Sequence, residues 1–121
     1  MQKKKTLVIG ASENPARYSY LAVKKLTANQ HPVVALGIKK GSIGNTIIET
    51  EKKPLDDIDT VTLYINPARQ PDYYDYIISL HPNRIIFNPG TENETLEELA
   101  HKNNIATQEA CTLVLLSTGQ Y

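Results

Sequence analysis

Short apolar runs, most of them closed by Gly or Asn, alternate along this chain with amphipathic stretches. Thr6-Leu7-Val8-Ile9 stops at Gly10 and reads as a strand buried on both faces. Gly10 to Pro15 holds turn and cap residues, and Asn14 followed by Pro15 suits a helix N-cap and first helical position. Tyr18, Leu21, Ala22 and Leu26 then recur at helical spacing and predict an amphipathic helix to Asn29. Val33-Val34-Ala35-Leu36, closed by Gly37, is a second buried strand. Lys39 to Gly44 reads as a loop with two glycines, and Thr46-Ile47-Ile48 as a short strand. Glu49 to Asp59 is charged, carries Pro54, and reads as a surface connection in which Leu55 and Ile58 anchor a single turn.

The second half repeats the pattern. Val61 to Ile65 is a strand ended by Asn66-Pro67, and Tyr73, Tyr76, Ile77 and Leu80 form a helix stripe broken at His81-Pro82-Asn83. Arg84 to Phe87 is a strand ended by Asn88-Pro89-Gly90. Thr91 with Glu94 makes a capping-box pattern before a helix whose face is Leu96, Leu99 and Ala100. Ile105-Ala106-Thr107 reads as a short strand, and Ala110 to Ser117 as the last helix. The alternation specifies an α/β class, a Rossmann-like doubly wound, mostly parallel sheet of about five strands with helices on both faces.

Length fits that architecture: 121 residues make a single domain over 1–121. Lys plus Arg number 13 and so do Asp plus Glu, which argues against nucleic acid as a partner but leaves room for a local basic cluster. One cysteine excludes an internal disulfide framework and fits a reducing, cytoplasmic setting. The basic start Met1-Gln2-Lys3-Lys4-Lys5 meets only Leu7-Val8-Ile9 before Gly10, too short for a signal peptide. No apolar run approaches the roughly 18 residues of a membrane span.

In open sheets of this kind ligands sit beyond the carboxyl ends of the strands, where the winding reverses. The loops to search are therefore Gly10–Ser19, Gly37–Gly44, Ile65–Arg69 and Phe87–Thr91. The first runs from a glycine into a helix N-terminus, a natural phosphate site, with Ser12, Ser19 and Arg17 as further donors. The dinucleotide fingerprint G-x-G-x-x-G is absent: positions 10, 12 and 15 are Gly, Ser and Pro. Where an NAD site wants a carboxylate after the second strand, this chain has Lys39-Lys40. That favours a nucleotide with an extra ribose phosphate, coenzyme A or NADP, over NAD.

The chain resembles the small single-domain CoA-binding proteins, similar to the N-terminal domain of the succinyl-CoA synthetase α chain. The likeness is carried by Val8-Ile9-Gly10-Ala11-Ser12 with Asn14-Pro15 and Arg17-Tyr18-Ser19, then Val34-Ala35-Leu36-Gly37, Asp59-Thr60-Val61, Asn66-Pro67 and Asn88-Pro89-Gly90-Thr91. It implies a site in which Gly10, Ala11, Ser12 and Arg17 meet the phosphates, with Tyr18 and Ser19 behind. Gly37, Lys39 and Lys40 would face the adenosine and its 3′-phosphate. Ile65, Asn66 and Pro67 would flank the adenine or pyrophosphate, and Asn88, Pro89 and Gly90 would floor the pantetheine arm. Two features depart from the family's usual pattern: Gly37-Ile38-Lys39-Lys40 lacks a proline after the second strand, and Glu109-Ala110-Cys111-Thr112-Leu113 lacks a Glu-His pair after the cysteine. The synthetase carries its phosphorylated histidine in a second domain, which has no counterpart in these residues.

No catalytic constellation emerges. Cys111 lies in an apolar stretch without a base, and His31, His81 and His101 all sit at helix ends away from the ligand loops. No metal-ligand spacing is present. The expectation is a binding module for coenzyme A or an acyl-CoA, without chemistry of its own. The alternatives are an NADP-binding redox or nucleotide-sensing domain, or a CoA-handling subunit of a larger enzyme. Tyr73, Tyr74 and Tyr76 crowd one helix and offer a surface for a homodimer.

Overall fold

The computed structural model describes residues 2–121; Met1, the first residue of the basic start, lies outside the described residues. Among these residues, β1 (Thr6–Ile9), β2 (Val33–Leu36), β3 (Gly41–Ile43), β4 (Thr46–Glu49), β5 (Thr60–Leu63), β6 (Arg84–Phe87) and β7 (Ala106–Glu109) form one sheet in the order β3-β4-β2-β1-β5-β6-β7. All neighbours run parallel except β3, which pairs antiparallel with β4. Helices α1 (Tyr18–Ala28), α2 (Tyr74–Leu80), α3 (Glu94–Lys102) and α4 (Thr112–Ser117) complete the fold, with a 3-10 turn at Gln70–Tyr73 leading into α2.

The apolar runs are continuous because both faces of the central strands are covered. Leu7, Ile9, Leu63, Ile85 and Phe87 point to one side, against Ile77 of α2 and Leu96 and Ala100 of α3. Val8, Ala35, Ile48 and Ile86 point to the other, against Val23 and Leu26 of α1 and Leu115 and Leu116 of α4. Fully burying each such aliphatic or aromatic side chain is worth about 1.5–3 kcal/mol before the entropy of ordering it.

The strand count exceeds the expected five for a local reason. Gly41-Ser42-Ile43 is too short to show a pattern, yet it forms an edge strand through a two-residue hairpin at Gly44-Asn45, with Gly44 at φ +58°. The connection from β4 to β5 has no helix. Leu55 and Ile58 from that segment pack on the core where a crossover helix would lie.

Two helix starts also move. Asn14 and Pro15 build a turn in which the Asn14 side chain accepts from Ala16 N at 3.0 Å, and α1 begins only at Tyr18 with Arg17 as N-cap. In place of Thr91, Asn93 caps α3 by accepting from Leu96 N at 3.2 Å. Thr91 donates its hydroxyl back to the Asn88 carbonyl at 2.8 Å.

Tyr73, Tyr74 and Tyr76 pack partly buried against the core. Lys52 lies over the Tyr73 ring, Tyr74 accepts from Asn93, and Tyr76 donates to the Lys53 carbonyl. Among the described residues no helix is long and apolar enough to cross a membrane.

Candidate functional site

The winding reverses at β1, which has β2 on one side and β5 on the other. Beyond the carboxyl ends of these strands lies a cleft of about 860 Å³. Its walls are the loops after β1, β2, β5 and β6, the four that strand polarity singles out.

Backbone packs directly on backbone at its floor. Gly10 sits at φ +96°, and a Cβ there would stand 2.8 Å from the Tyr64 carbonyl group. At Gly37 a Cβ would stand 2.4 Å from the Ala11 carbonyl oxygen. Glycine at both positions lets the three loops meet. The Leu36 carbonyl accepts from both Gly10 N and Ala11 N, at 2.9 and 3.0 Å. These two amides are therefore occupied by the fold. Free donors begin one residue later: Ser12 N has no partner among the described residues, and the Ser12 hydroxyl accepts from Asn14 N at 3.1 Å, which leaves its own hydrogen to donate. The first turn of α1 has neither a side-chain cap nor an acidic residue, so its amides stay open toward the cleft.

Arg17 and Ser19 line the cleft from α1 and its cap, Lys39 and Lys40 from the β2 loop, and Arg69 from the β5 loop. None of the four cations has a carboxylate within ion-pair distance among the described residues, where the one ion pair is Lys53–Glu49 at 3.3 Å. Glu13 borders the cleft, but its carboxylate accepts from Ser42 N at 3.1 Å and braces β3. Apolar surface is supplied by Tyr18 and Ile38, 71% and 66% exposed.

The structure brings Gly10, Ala11, Ser12, Arg17, Tyr18, Ser19, Gly37, Lys39, Lys40, Ile65, Asn66, Pro89 and Gly90 together around this cleft. Pro67 and Asn88 are not part of its lining. Asn88 is 2% exposed and acts as a bracket: Nδ2 donates to Thr62 Oγ1 and the Leu63 carbonyl at 2.7 and 2.8 Å, and Oδ1 accepts from Thr112 N at 2.8 Å. Arg69, Ile38, Tyr64, Tyr73 and Thr91 line the cleft without having been expected as ligand contacts from the sequence. Arg69 and Thr91 fall inside loops that strand polarity had already marked, which was the available signal.

Tyr64 has a buried hydroxyl with no hydrogen-bond partner among the described residues. Burial pushes its phenol well above the ordinary range. Cys111 is half-buried, caps α4 and stays outside the cleft lining. The histidines lie at the opposite, amino-terminal edge of the sheet. His81 caps the end of α2, His101 contacts Thr107 at 2.9 Å, and His31 is buried beside Tyr121. A smaller cavity of about 450 Å³ at that edge is bordered by Lys3, Lys5, Asp59 and Asn83. Several of its polar groups are already partnered: Lys5 donates to the Asp56 carbonyl, and Asp59 accepts from Asn83 at 2.9 Å.

Comparison with known proteins agrees with the geometry. A solved structure of an uncharacterized protein is 47% identical over 100% of both chains and superposes with a TM-score of 0.98. A hypothetical protein from Pyrococcus horikoshii OT3 is 19% identical, with 97% of this chain and 84% of that one covered at a TM-score of 0.87. A Thermus thermophilus protein is 15% identical, with 99% and 92% covered at 0.85. The last two likenesses establish the Rossmann-like fold. No curated protein matches. The family model described as "CoA binding domain" matches residues 4–117. With nearly the whole chain matched and the cleft at the expected switch point, this chain belongs to the CoA binding domain family.

Proposed function

We propose that the chain, as a single cytosolic domain over residues 1–121, binds coenzyme A or an acyl-CoA in this cleft and performs no chemistry of its own. One observation carries the reading: Arg17, Lys39, Lys40 and Arg69 converge without carboxylate partners on one cleft of a chain whose net charge is zero. Such a concentration of unpaired cations beside open helix amides suits a ligand with several phosphates.

In this reading the pyrophosphate meets the Ser12 amide and hydroxyl, the first turn of α1 and Arg17. Gly10 and Ala11 supply close backbone approach, since their amides are occupied. Lys39 and Lys40 neutralise the 3′-phosphate, and Gly37 and Ile38 border the adenosine. Ile65, Asn66 and Arg69 flank the pyrophosphate from the facing rim. Pro89 and Gly90 border the pantetheine arm, with Asn88 holding their loop from behind. The absence of chemistry rests on Cys111 lying outside the cleft and the histidines at the far edge of the sheet.

NADP is the second reading, favoured by Lys39 and Lys40 at the end of β2, where a ribose 2′-phosphate would also be met. Calorimetric titration with CoA, dephospho-CoA, NADP and NAD at fixed salt separates the two. The expected result is CoA binding that weakens clearly for dephospho-CoA, with NADP and NAD weaker still. Binding by none of the four would overturn the assignment. Acyl-CoA incubated with the protein is expected to keep its thioester, and hydrolysis or transfer would refute the non-catalytic part.

A further inference from the structure

Gln70 has no exposed surface and stands behind the cleft at the start of the 3-10 turn. Its amide nitrogen donates to the Ile65 carbonyl at 3.1 Å and to the Thr91 carbonyl at 2.7 Å. Ile65 lies in the loop after β5 and Thr91 in the loop after β6, and both line the cleft. The Gln70 amide oxygen accepts from Asn93 Nδ2 at 2.8 Å. A backbone carbonyl can only accept, so the nitrogen of Gln70 must face both loops. The orientation of Asn93 is fixed in the same way, because its Oδ1 accepts from Leu96 N and its Nδ2 also reaches the Tyr74 hydroxyl at 2.8 Å. Turning either amide over would break bonds without replacing them.

The two loops have left the sheet by this point. Asn88 ties the strand ends below them, and Gln70 ties the loops themselves. Arg69, the cation of that rim, immediately precedes Gln70, so a fixed Gln70 backbone also fixes where Arg69 starts.

We propose that Gln70 is a positioning residue, a buried clamp that holds the β5 and β6 loops at the spacing bound coenzyme A requires. The ligand then meets a preformed wall instead of ordering one on arrival, and ordering loops and side chains is a direct loss of affinity. This inference rests on the CoA-binding reading above.

The test uses the full chain and CoA titration at fixed salt. Gln70→Met keeps the volume and removes the amide; it is expected to weaken CoA binding about tenfold while circular dichroism stays native. Amide exchange at Ile65, Asn66, Ala68, Arg69, Gly90 and Thr91 of the free variant should quicken and return to the wild-type rate at saturating CoA. A merely destabilising change elsewhere serves as control: Tyr121→Phe removes the 2.6 Å contact to Thr6 at the opposite edge and should leave affinity unchanged. Asn93→Asp is the milder second variant, used if Gln70→Met does not fold. It keeps the α3 cap but removes the donor to Gln70, whose amide should turn toward the new carboxylate and release both carbonyls. About a threefold loss of affinity is expected there. If the wild type does not bind CoA, the underlying reading falls and this proposal with it. If the wild type binds and a folded Gln70→Met or Asn93→Asp binds equally well, the clamp alone is overturned.

Discussion

Replacing Gly37 by alanine tests the claim that the cleft floor depends on backbone-to-backbone packing. Gly37 is not in the left-handed region, so the substitution adds a steric demand with little conformational penalty. The new Cβ would stand 2.4 Å from the Ala11 carbonyl oxygen and 3.0 Å from Ile48 Cγ2, where ordinary contact begins at 3.4 Å. A backbone oxygen cannot rotate away as a side chain could, so the β1 and β2 loops must part by roughly 1 Å. That movement also stretches the bonds from Gly10 N and Ala11 N to the Leu36 carbonyl. Overpacking costs about 1–3 kcal/mol and each weakened hydrogen bond up to about 1 kcal/mol, giving a loss of about 3 kcal/mol. At about 4 °C per kcal/mol for a chain of this size, the melting temperature should fall by about 12 °C. Gly44→Ala is the comparison. Gly44 has open space around its would-be Cβ but sits at φ +58°, so alanine there should cost only about 1 kcal/mol, or about 4 °C. Thermal unfolding followed by circular dichroism reads both. A Gly37→Ala loss no larger than that of Gly44→Ala would refute the steric argument.

Asn88→Ala leaves the Leu63 carbonyl and Thr112 amide without their partners and should cost about 3 kcal/mol by urea unfolding, whereas a loss under about 1 kcal/mol would mean the bracket matters little. Tyr64→Phe removes an unpartnered buried hydroxyl and should leave stability unchanged or raise it by up to about 1 kcal/mol; a clear fall in melting temperature would show that the hydroxyl is satisfied in solution. The double change Lys39→Ala with Lys40→Ala should weaken CoA binding about tenfold or more and dephospho-CoA binding far less, and equal losses for both would remove the 3′-phosphate assignment. Burial, and then Lys3, Lys4 and Arg84 nearby, hold His31 below its ordinary pKa of 6.5. The unfolded chain therefore takes up a proton that the folded chain refuses. The stabilising difference is fully present above pH 6.5 and is lost as pH falls from there through the lowered value. Urea unfolding of wild type and His31→Gln between pH 7.5 and 5 should show a smaller acid loss in the variant, and parallel curves would refute the assignment.

The pattern along the chain carried the fold because the central strands are sandwiched between helices, and burial on both faces leaves short, mostly apolar runs. What escaped it was structure made by pairing rather than by pattern. Gly41-Ser42-Ile43 is a strand only because Gly44-Asn45 turns it back onto β4, and that Gly-Asn pair between Ile43 and Thr46 was the signal to weigh more heavily. Thr91 lost the α3 cap to Asn93, which stands directly before the helix, while Thr91 bonded backward to Asn88. The candidate cleft was legible for a different reason. Strand polarity marks the loops beyond the carboxyl ends of the strands, and residues of those loops line one cleft. The use of each atom was not legible. Gly10 and Ala11 looked like phosphate donors, yet the end of β2 supplies a carbonyl that takes both amides. Asn88 was expected in the floor of the site; it is buried outside the cleft lining and bonds Thr62, Leu63 and Thr112.

The lysines show why the cations of the cleft are free. At the amino-terminal edge of the sheet, Lys3, Lys4 and Lys5 donate to the carbonyls of Asn29, Tyr121 and Asp56. At the carboxyl edge, the side chains of Arg17, Lys39, Lys40 and Arg69 have no such acceptor among the described residues. The parallel α/β layout accounts for the Asn29 acceptor, while Asp56 lies in the helix-free β4–β5 connection and Tyr121 beyond the end of α4. Helices that return between parallel strands end at the amino edge, where their last carbonyls point outward as acceptors, and Asn29 caps α1 there. They begin at the carboxyl edge, where outward-pointing groups are amide donors and the dipole is positive. Among the described residues no carboxylate is within ion-pair distance of these four cations. The one carboxylate that borders this cleft, Glu13, is turned to the Ser42 amide. In the proposed reading, an anion at this edge would gain from the cations and the helix amides together.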